Sequence, residues 1–312
     1  MDLKIVEELK ILKNVLVQEN VSLSEFTTFR LGGLCPCVVT CQRPDQLEAV
    51  IQRLTQADIP FVLIGLGSNI LVSDQGVDCV VVRFVSGAPK IALDGEDLIV
   101  AASTLLDDVV VFALKQGLEG INFASGIPGT VGGAVAGNAG AFGSQISNCL
   151  KSVEVLTCSG ERKECLPSDL DFQYRDSALK RSGEIVLTVR FALCRGDRQK
   201  LFKEREEILN LRKEKHPDIS VLPCAGSFFK NIEPGPPEKM RQSAGEICDR
   251  VGAKKMRCGG AAVFEKHANI LVNSKEATAQ DVYNLSQEIA RRVKEEFGVN
   301  LVREVQLLGE FS

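Results

Sequence analysis

Gly126-Ile127-Pro128-Gly129-Thr130-Val131-Gly132-Gly133-Ala134-Val135-Ala136-Gly137-Asn138-Ala139-Gly140-Ala141-Phe142-Gly143 is the stretch on which the reading of this chain turns. Seven glycines in that run are too many for a stable helix or strand, because each adds backbone freedom that folding must remove. Glycine at this density instead lets backbone approach an extended cofactor with no side chain in between. A second segment, Gly65-Leu66-Gly67-Ser68-Asn69, follows an apolar run. It lacks the third glycine of a dinucleotide fingerprint and leads into strand-like Ile70-Leu71-Val72 rather than a helix. Neither segment carries Gly-Lys-Ser/Thr, which removes the P-loop reading. The shorter loop alone is a tight turn or a nest of backbone N–H groups for an anion, and the longer segment shifts the balance toward the nest.

On the N-terminal side, Ile5, Leu9, Leu12 and Leu16 predict a helix over 2–16. Pro44 opens a second helix, with Leu47, Val50, Ile51 and Leu54 at helical spacing before residues 57–60 break the pattern. Short β-rich runs at 61–64, 70–72, 79–85, 90–93 and 98–101 alternate with Gly and Asp turns. A helix over about 105–117 closes at Gly117. Beyond residue 143 come strands near 151–157 and 184–193, then a charged helix at 198–212 with a core stripe of Leu201, Ile208 and Leu211. A Pro-rich break at 233–239 precedes a further helix. The helix at 279–297 is the best defined: Thr278 caps it, Asp281 stands third, Val282, Leu285, Ile289, Val293 and Phe297 form one stripe, and Gly298 ends it. A strand over 300–308 completes the chain, which has no repeat at 20–50-residue periods.

The chain has 312 residues, enough for two or three domains with real cores. A 45% hydrophobic and 25% charged composition belongs to a soluble globular protein. Lys+Arg 37 against Asp+Glu 41 gives a net charge of −4, without the basic excess of a nucleic-acid binder. No apolar run is long enough to span a membrane, and the start, MDLKIVEELK, is no secretory leader, so a cytoplasmic location is expected. Eleven cysteines are then read as thiols in a reducing compartment. Cys35, Cys37 and Cys41 lie close together, but no second cluster completes a metal site, and no metal is expected.

Phe26-Thr27-Thr28-Phe29-Arg30-Leu31-Gly32-Gly33, the two glycine segments, Tyr174-Arg175-Asp176-Ser177, Ala225-Gly226-Ser227-Phe228-Phe229-Lys230-Asn231, His267-Ala268-Asn269 through Asn273, and Arg303-Glu304-Val305 occur in that order. Together they resemble the UDP-N-acetylenolpyruvoylglucosamine reductase (MurB) family over nearly the whole chain. The resemblance implies an α+β protein: a two-subdomain FAD-binding fold of the vanillyl-alcohol-oxidase type plus a smaller α+β substrate domain. It divides the chain into FAD-binding subdomain 1 at 1–88, joined by the C-terminal strand 300–312, FAD-binding subdomain 2 at 89–214, and a substrate-binding domain at 215–299.

The implied activity is NADPH-dependent, FAD-mediated reduction of a UDP-sugar enolpyruvyl ether, UDP-N-acetylglucosamine enolpyruvate, to UDP-N-acetylmuramate in peptidoglycan precursor synthesis, carried out by a cytoplasmic monomer. Non-covalent FAD is expected at Gly65, Gly67, Ser68, Asn69, Ile127, Gly129, Thr130, Gly132, Gly133, Asn138, Ala139 and Gly140. By resemblance Arg175 and Glu304 stand at the substrate carboxylate and Ser227 is the proton donor. Residue chemistry agrees: a guanidinium fork matches a carboxylate, and an enolic carbon is basic enough that a placed hydroxyl serves as its acid. Tyr174, Lys215, Asn231, Lys254 and His267 are expected around the UDP-sugar. The chain runs from Arg181 straight to the 184–193 strand, as in the family branch without an extra tyrosine loop. Two alternatives keep the flavin: an oxidase of small alcohols or sugars, and a catalytically inactive regulatory protein. The lack of a His or Cys at an obvious flavin-attachment position and the full Arg175, Ser227, Glu304 set weigh against them.

Overall fold

Alternating apolar residues build two separate hydrophobic cores from segments that interleave along the chain. The structure, a computed structural model, describes residues 3–234 and 241–312. The first part of the chain runs α1 (Leu3–Lys10), β1 (Leu16–Ser22), β2 (Leu34–Cys41), α2 (Pro44–Gln56), β3 (Phe61–Ile64), β4 (Ile70–Val72) and β5 (Val80–Phe84). Next come β6 (Ile91–Asp94), β7 (Asp97–Ala101), α3 (Leu106–Lys115), α4 (Val131–Ala136), β8 (Leu150–Leu156), β9 (Arg162–Cys165), β10 (Ile185–Ala192) and α5 (Arg198–Lys215). The chain closes with α6 (Ala244–Arg250), β11 (Arg257–Cys258), β12 (Ala261–Val263), β13 (Leu271–Asn273), α7 (Ala279–Phe297) and β14 (Gln306–Leu308).

Unit 1 comprises residues 1–19, 36–66 and 79–212. It contains a sheet of order β1-β2-β5-β3, in which β5 pairs parallel with both β2 and β3. A second sheet, β9-β8-β10-β7-β6, is antiparallel throughout. Its α2 helix shows why the local sequence folds as it does. Gln46 Oε1 accepts from the Gln42 and Arg43 amides at 2.9 and 3.1 Å, and Leu47, Val50, Ile51 and Leu54 are buried one turn apart. Each such aliphatic contributes about 1.5–3 kcal/mol on burial.

Unit 2 comprises residues 20–35, 67–78 and 213–312. Here β11-β12-β13 form an antiparallel sheet, and β14 pairs parallel with β4. Helix α7 has the predicted bounds and caps: Thr278 Oγ1 accepts from the Asp281 amide, Asp281 Oδ2 from the Thr278 amide, and Gly298 takes φ +70°. Asp74 adds a second cap, its carboxylate accepting from the Ala279 and Gln280 amides at 2.8 and 2.9 Å.

Several elements differ from their sequence expectation. The helix expected over 2–16 ends at Lys10; Asn14 takes φ +59° and Leu16, 57% exposed, opens β1. The glycine run contains a six-residue helix after all, α4, because the Thr130 hydroxyl accepts from the Gly133 amide and Val131 and Val135 are buried. Helix α5 extends to Lys215, and Leu211 is 42% exposed rather than part of a core stripe. The strand expected over 300–308 is confined to Gln306–Leu308, preceded by an isolated bridge from Arg303 to Phe229. The Pro-rich break at 233–239 falls largely on residues 235–240, which, like residues 1 and 2, lie outside the described residues.

Candidate active site

In unit 1 the glycine run is tied to its neighbours through backbone. The Val131 and Gly132 amides donate to the Thr104 and Ala102 carbonyls at 2.9 Å each, and the Gly129 carbonyl accepts from the Leu106 amide at 3.0 Å. Gly129 takes φ +150°, a conformation that side chains resist. A Cβ on Gly132 would stand 3.1 Å from Ala102 Cβ, and one on Gly65 would strike the Thr130 hydroxyl. Gly133 differs: a Cβ there would meet Thr130 Oγ1 at an ordinary 3.6 Å. The fold itself does not require glycine at that position. Ile127 donates its amide to the Ala124 carbonyl and Ala139 to the Ala134 carbonyl.

Asn138, fully buried at φ +42°, spends both ends of its amide inside the protein. Its Nδ2 donates to the Gln173 carbonyl at 2.9 Å and its Oδ1 accepts from the Ser147 amide at 3.1 Å. It thereby fastens the glycine run to the turn that presents Tyr174 and Arg175. Gln173 and Asp176 close that turn by reciprocal backbone hydrogen bonds, and Ser177 anchors it through Oγ to the Ala136 carbonyl at 2.8 Å. Arg175 sits at φ +57°, which costs a side-chain-bearing residue about 1–2 kcal/mol. Strain of this kind persists where surrounding contacts impose it. Here Arg175 Nη2 donates to the Gly140 carbonyl at 2.7 Å, Lys180 Nζ to the Arg175 carbonyl at 2.9 Å, and the guanidinium lies 5.1 Å from the Tyr174 ring centroid.

The Gly65–Asn69 loop passes from unit 1 to unit 2 between Leu66 and Gly67. In unit 2, Gly67 accepts from the Thr28 amide at 3.1 Å, and any Cβ on it would run into the Phe26 carbonyl. Asn69 Nδ2 donates to the Glu304 carbonyl at 3.1 Å and its own carbonyl accepts from the Gln306 amide at 3.0 Å, so Ser68 and its neighbours are held beside Glu304. The Glu304 amide donates to the Phe228 carbonyl at 2.8 Å, one residue beyond Ser227. Ser227 and Glu304, both half-buried, are thus brought together. Arg175 belongs to unit 1.

Asn269 holds the other side of the Ser227 segment and is a residue to which the sequence reading assigned no role. It is 2% exposed, its carbonyl accepts from the Phe228 amide, and its side chain clasps Phe229 through Oδ1 (2.9 Å) and Nδ2 (2.8 Å). Its signal in the sequence is its place between His267 and the apolar strand that follows.

Of the residues expected at the UDP-sugar, Lys215, Asn231, Lys254 and His267 lie in unit 2, whereas Tyr174 lies in unit 1. His267 is held below its ordinary pKa by burial and then by the Lys254 charge, with Lys215 acting in the same direction. Its Nδ1 accepts from the Asn269 amide at 3.3 Å, and the His216 ring lies 5.9 Å away. Asn231 Oδ1 accepts from the Ala244 amide at 3.1 Å, and Lys254 Nζ pairs with Asp249 at 2.8 Å. Among the described residues no group of three or more His, Cys, Asp or Glu could hold a metal ion.

Family comparison adds to this geometry. The model of the UDP-N-acetylenolpyruvoylglucosamine reductase C-terminal domain matches residues 216–308, and that of an FAD binding domain matches residues 35–166. A UDP-N-acetylenolpyruvoylglucosamine reductase of Clostridium botulinum is 38% identical over 298 residues, covering 96% of this chain and 95% of that protein. One from Streptococcus pneumoniae is 36% identical, covering 97% of each. The crystal structure of the reductase from Thermus caldophilus superposes with a TM-score of 0.78 at 33% identity, covering 95% of this chain and 100% of that one.

Proposed function

Because the chain belongs to the UDP-N-acetylenolpyruvoylglucosamine reductase family, we infer that it performs that family's reaction with the residues described above. It is an FAD-dependent oxidoreductase that uses NADPH to reduce UDP-N-acetylglucosamine enolpyruvate to UDP-N-acetylmuramate, on an α+β FAD-binding fold of the vanillyl-alcohol-oxidase type with a C-terminal domain. Nothing favours the oxidase or the inactive regulator.

Two observations fit unit 1 to FAD. Gly133 lies within a helix, where glycine costs about 1 kcal/mol against alanine, yet the protein leaves space for a Cβ. Thr40 Oγ1 is buried at the end of β2 with no hydrogen-bond partner among the described residues, which a hydroxyl- and phosphate-rich cofactor can supply. Gly65, Gly67, Ser68, Asn69, Ile127, Gly129, Thr130, Gly132, Gly133, Asn138, Ala139 and Gly140 would hold it non-covalently. Asn138, with both ends of its side chain engaged, and Asn69 would shape the cradle from behind. We assign segments 1–88 and 89–214 as two flavin-holding subdomains, each with its own sheet, with 300–312 joined to the first through the β14–β4 pairing and 215–299 as the substrate domain.

FAD, when bound, supplies the transfer of a hydride from NADPH to one vinyl carbon of the substrate. The remaining tasks belong to the chain. Arg175, fixed by the Gly140 carbonyl and the Tyr174 ring, presents a fork that stays charged and meets the enolpyruvyl carboxylate. Glu304 acts at the same carboxylate, where, protonated or polarised by the neighbouring cation, it stabilises the negative charge moving into it. The Ser227 hydroxyl delivers the proton to the other carbon, where placement matters more than acidity. Lys215, Lys254, Asn231, His267 and Tyr174 orient the UDP-sugar, the lysines as point charges toward its diphosphate. We also propose a cytoplasmic monomer without nucleic-acid or membrane partners. Among the described residues no helix is long and apolar enough to cross a membrane, and the charge of −4 carries no basic excess.

The observation that best supports these roles is the backbone link of Glu304 to Phe228, which holds the segment carrying Ser227 next to the segment carrying Glu304. Stopped-flow mixing tests it. NADPH should bleach the flavin of Ser227→Ala at nearly the normal rate, while turnover of the enolpyruvyl substrate falls by roughly 10²–10⁴. Normal turnover with unchanged stereochemistry of protonation would remove Ser227 from the reaction.

A further inference from the structure

Helix α5 carries a second arginine to the glycine run. Arg212 Nε donates to the Ser125 carbonyl at 2.8 Å, its guanidinium lies 5.7 Å from the Phe142 ring centroid, and its stem packs where a Cβ on Gly126 would meet Cδ at 3.2 Å. Its Nη2 is buried and has no hydrogen-bond partner among the described residues. The nearby carboxylate, Asp107, is already committed. Both its oxygens take Arg205 at 2.6 and 2.7 Å, and Oδ1 also accepts from the Gly126 amide at 2.7 Å.

Burial holds Arg212 below its ordinary pKa; the Asp107 charge opposes that shift, and the like charge of Arg175 adds to it more weakly. The two guanidiniums reach the same short hairpin: Arg175 bonds the Gly140 carbonyl, and Arg212 faces Phe142, an aromatic at φ +52° that is 58% exposed. The Asp107 carboxylate offsets the charge of the second cation but gives Nη2 no acceptor, and a buried N–H of a charged group without one is costly; an anionic oxygen supplies it.

We propose that Arg212 is a second cationic contact of the reacting centre, its free fork position receiving an anionic oxygen at the edge of a planar group. Two sources carry that chemistry: the enolpyruvyl carboxylate, and the carbonyl edge of the flavin ring, where negative charge collects on reduction. The assignment rests on the family reading, and adds to it a residue given no role above.

The test uses the flavin-loaded wild type, Arg212→Gln and Arg212→Lys. Flavin content is measured first, then the two-electron midpoint potential by dye-equilibrated titration, then the affinity of the oxidised holoenzyme for the enolpyruvyl UDP-sugar from the change in flavin absorbance. With the flavin edge as ligand, Arg212→Gln favours the oxidised form about tenfold, a drop of about 30 mV, with substrate affinity unchanged. With the carboxylate as ligand, affinity falls about tenfold and the potential holds. Arg212→Lys, which keeps charge but not the fork, falls between wild type and Gln, and carries both measurements if the Gln variant does not fold. A variant with wild-type potential and wild-type affinity overturns the proposal alone. A colourless wild type overturns the family reading and this proposal with it.

Discussion

Gly132 and Gly133 are adjacent in one helix, yet alanine at the two positions should have opposite effects on the fold. At Gly133 a Cβ meets Thr130 Oγ1 at 3.6 Å, an ordinary contact, and the backbone is already helical. Alanine there should stabilise the flavin-free protein by about 0.4–1 kcal/mol, by restricting the unfolded chain. At Gly132 the added Cβ lies 3.1 Å from Ala102 Cβ, tighter than most packed side chains, so Ala102 must give way, and overpacking of this kind costs about 1–3 kcal/mol. That exceeds the propensity gain, so Gly132→Ala should be net destabilising. Urea unfolding of both variants without flavin reads these signs directly. Flavin affinity should fall in both, at least tenfold in Gly133→Ala, where the methyl group enters the space assigned to the cofactor; tenfold is about 1.4 kcal/mol. Binding is followed through the visible spectrum. A Gly133→Ala protein that is more stable and also binds flavin as tightly as wild type would refute the cradle, since that glycine would then serve neither fold nor cofactor.

Asn269→Leu should leave the Phe229 N–H and C=O buried without partners, at about 1–3 kcal/mol for each. The unfolding free energy should fall by about 2–6 kcal/mol and turnover more than flavin reduction, whereas a loss below about 1 kcal/mol would show that the clasp does not hold the Ser227 segment. His267 should make stability depend on pH near neutrality. Its folded pKa lies below the unfolded value near 6.5, so the unfolded chain binds more protons as pH falls through 6.5, and stability must drop there and recover as pH rises. Melting temperatures from pH 7.5 to 5.5 should fall more steeply for wild type than for His267→Gln, and parallel curves would exclude the imidazole as the cause.

Elements whose determinants are local were legible from the sequence. Helices α2 and α7 carry their own caps and stripes, so Pro44, Thr278, Asp281 and Gly298 stand where they were expected. Elements decided by distant partners were not. Residues 300–305 have the composition of a strand, but isolated pairings with the Phe228–Lys230 segment replace a ladder there. Helix α4 exists because Val131 and Val135 have a core to enter, a fact no glycine count contains. The candidate site was legible as a set of motifs, but not what holds each member in place: Asn138, expected at the flavin, has its side chain tied to Gln173 and Ser147. Asn269 and Arg212 matter through what they hold or lack in space. Neither property has a pattern along the chain.

The interleaving of the two units also sets a schedule for synthesis. Asp74 caps a helix whose first turn lies 205 residues later, and β4 waits for β14 at the far end of the chain. At about 5–20 residues per second a ribosome needs roughly 10–40 s to deliver those partners. During that interval Ile70, Leu71 and Val72 have neither their strand nor their core, while the two sheets of unit 1 can already form around them in sequence. The nascent chain therefore carries an apolar segment with an open edge through most of its translation, which makes this stretch, rather than the glycine run, the natural place for a chaperone to act.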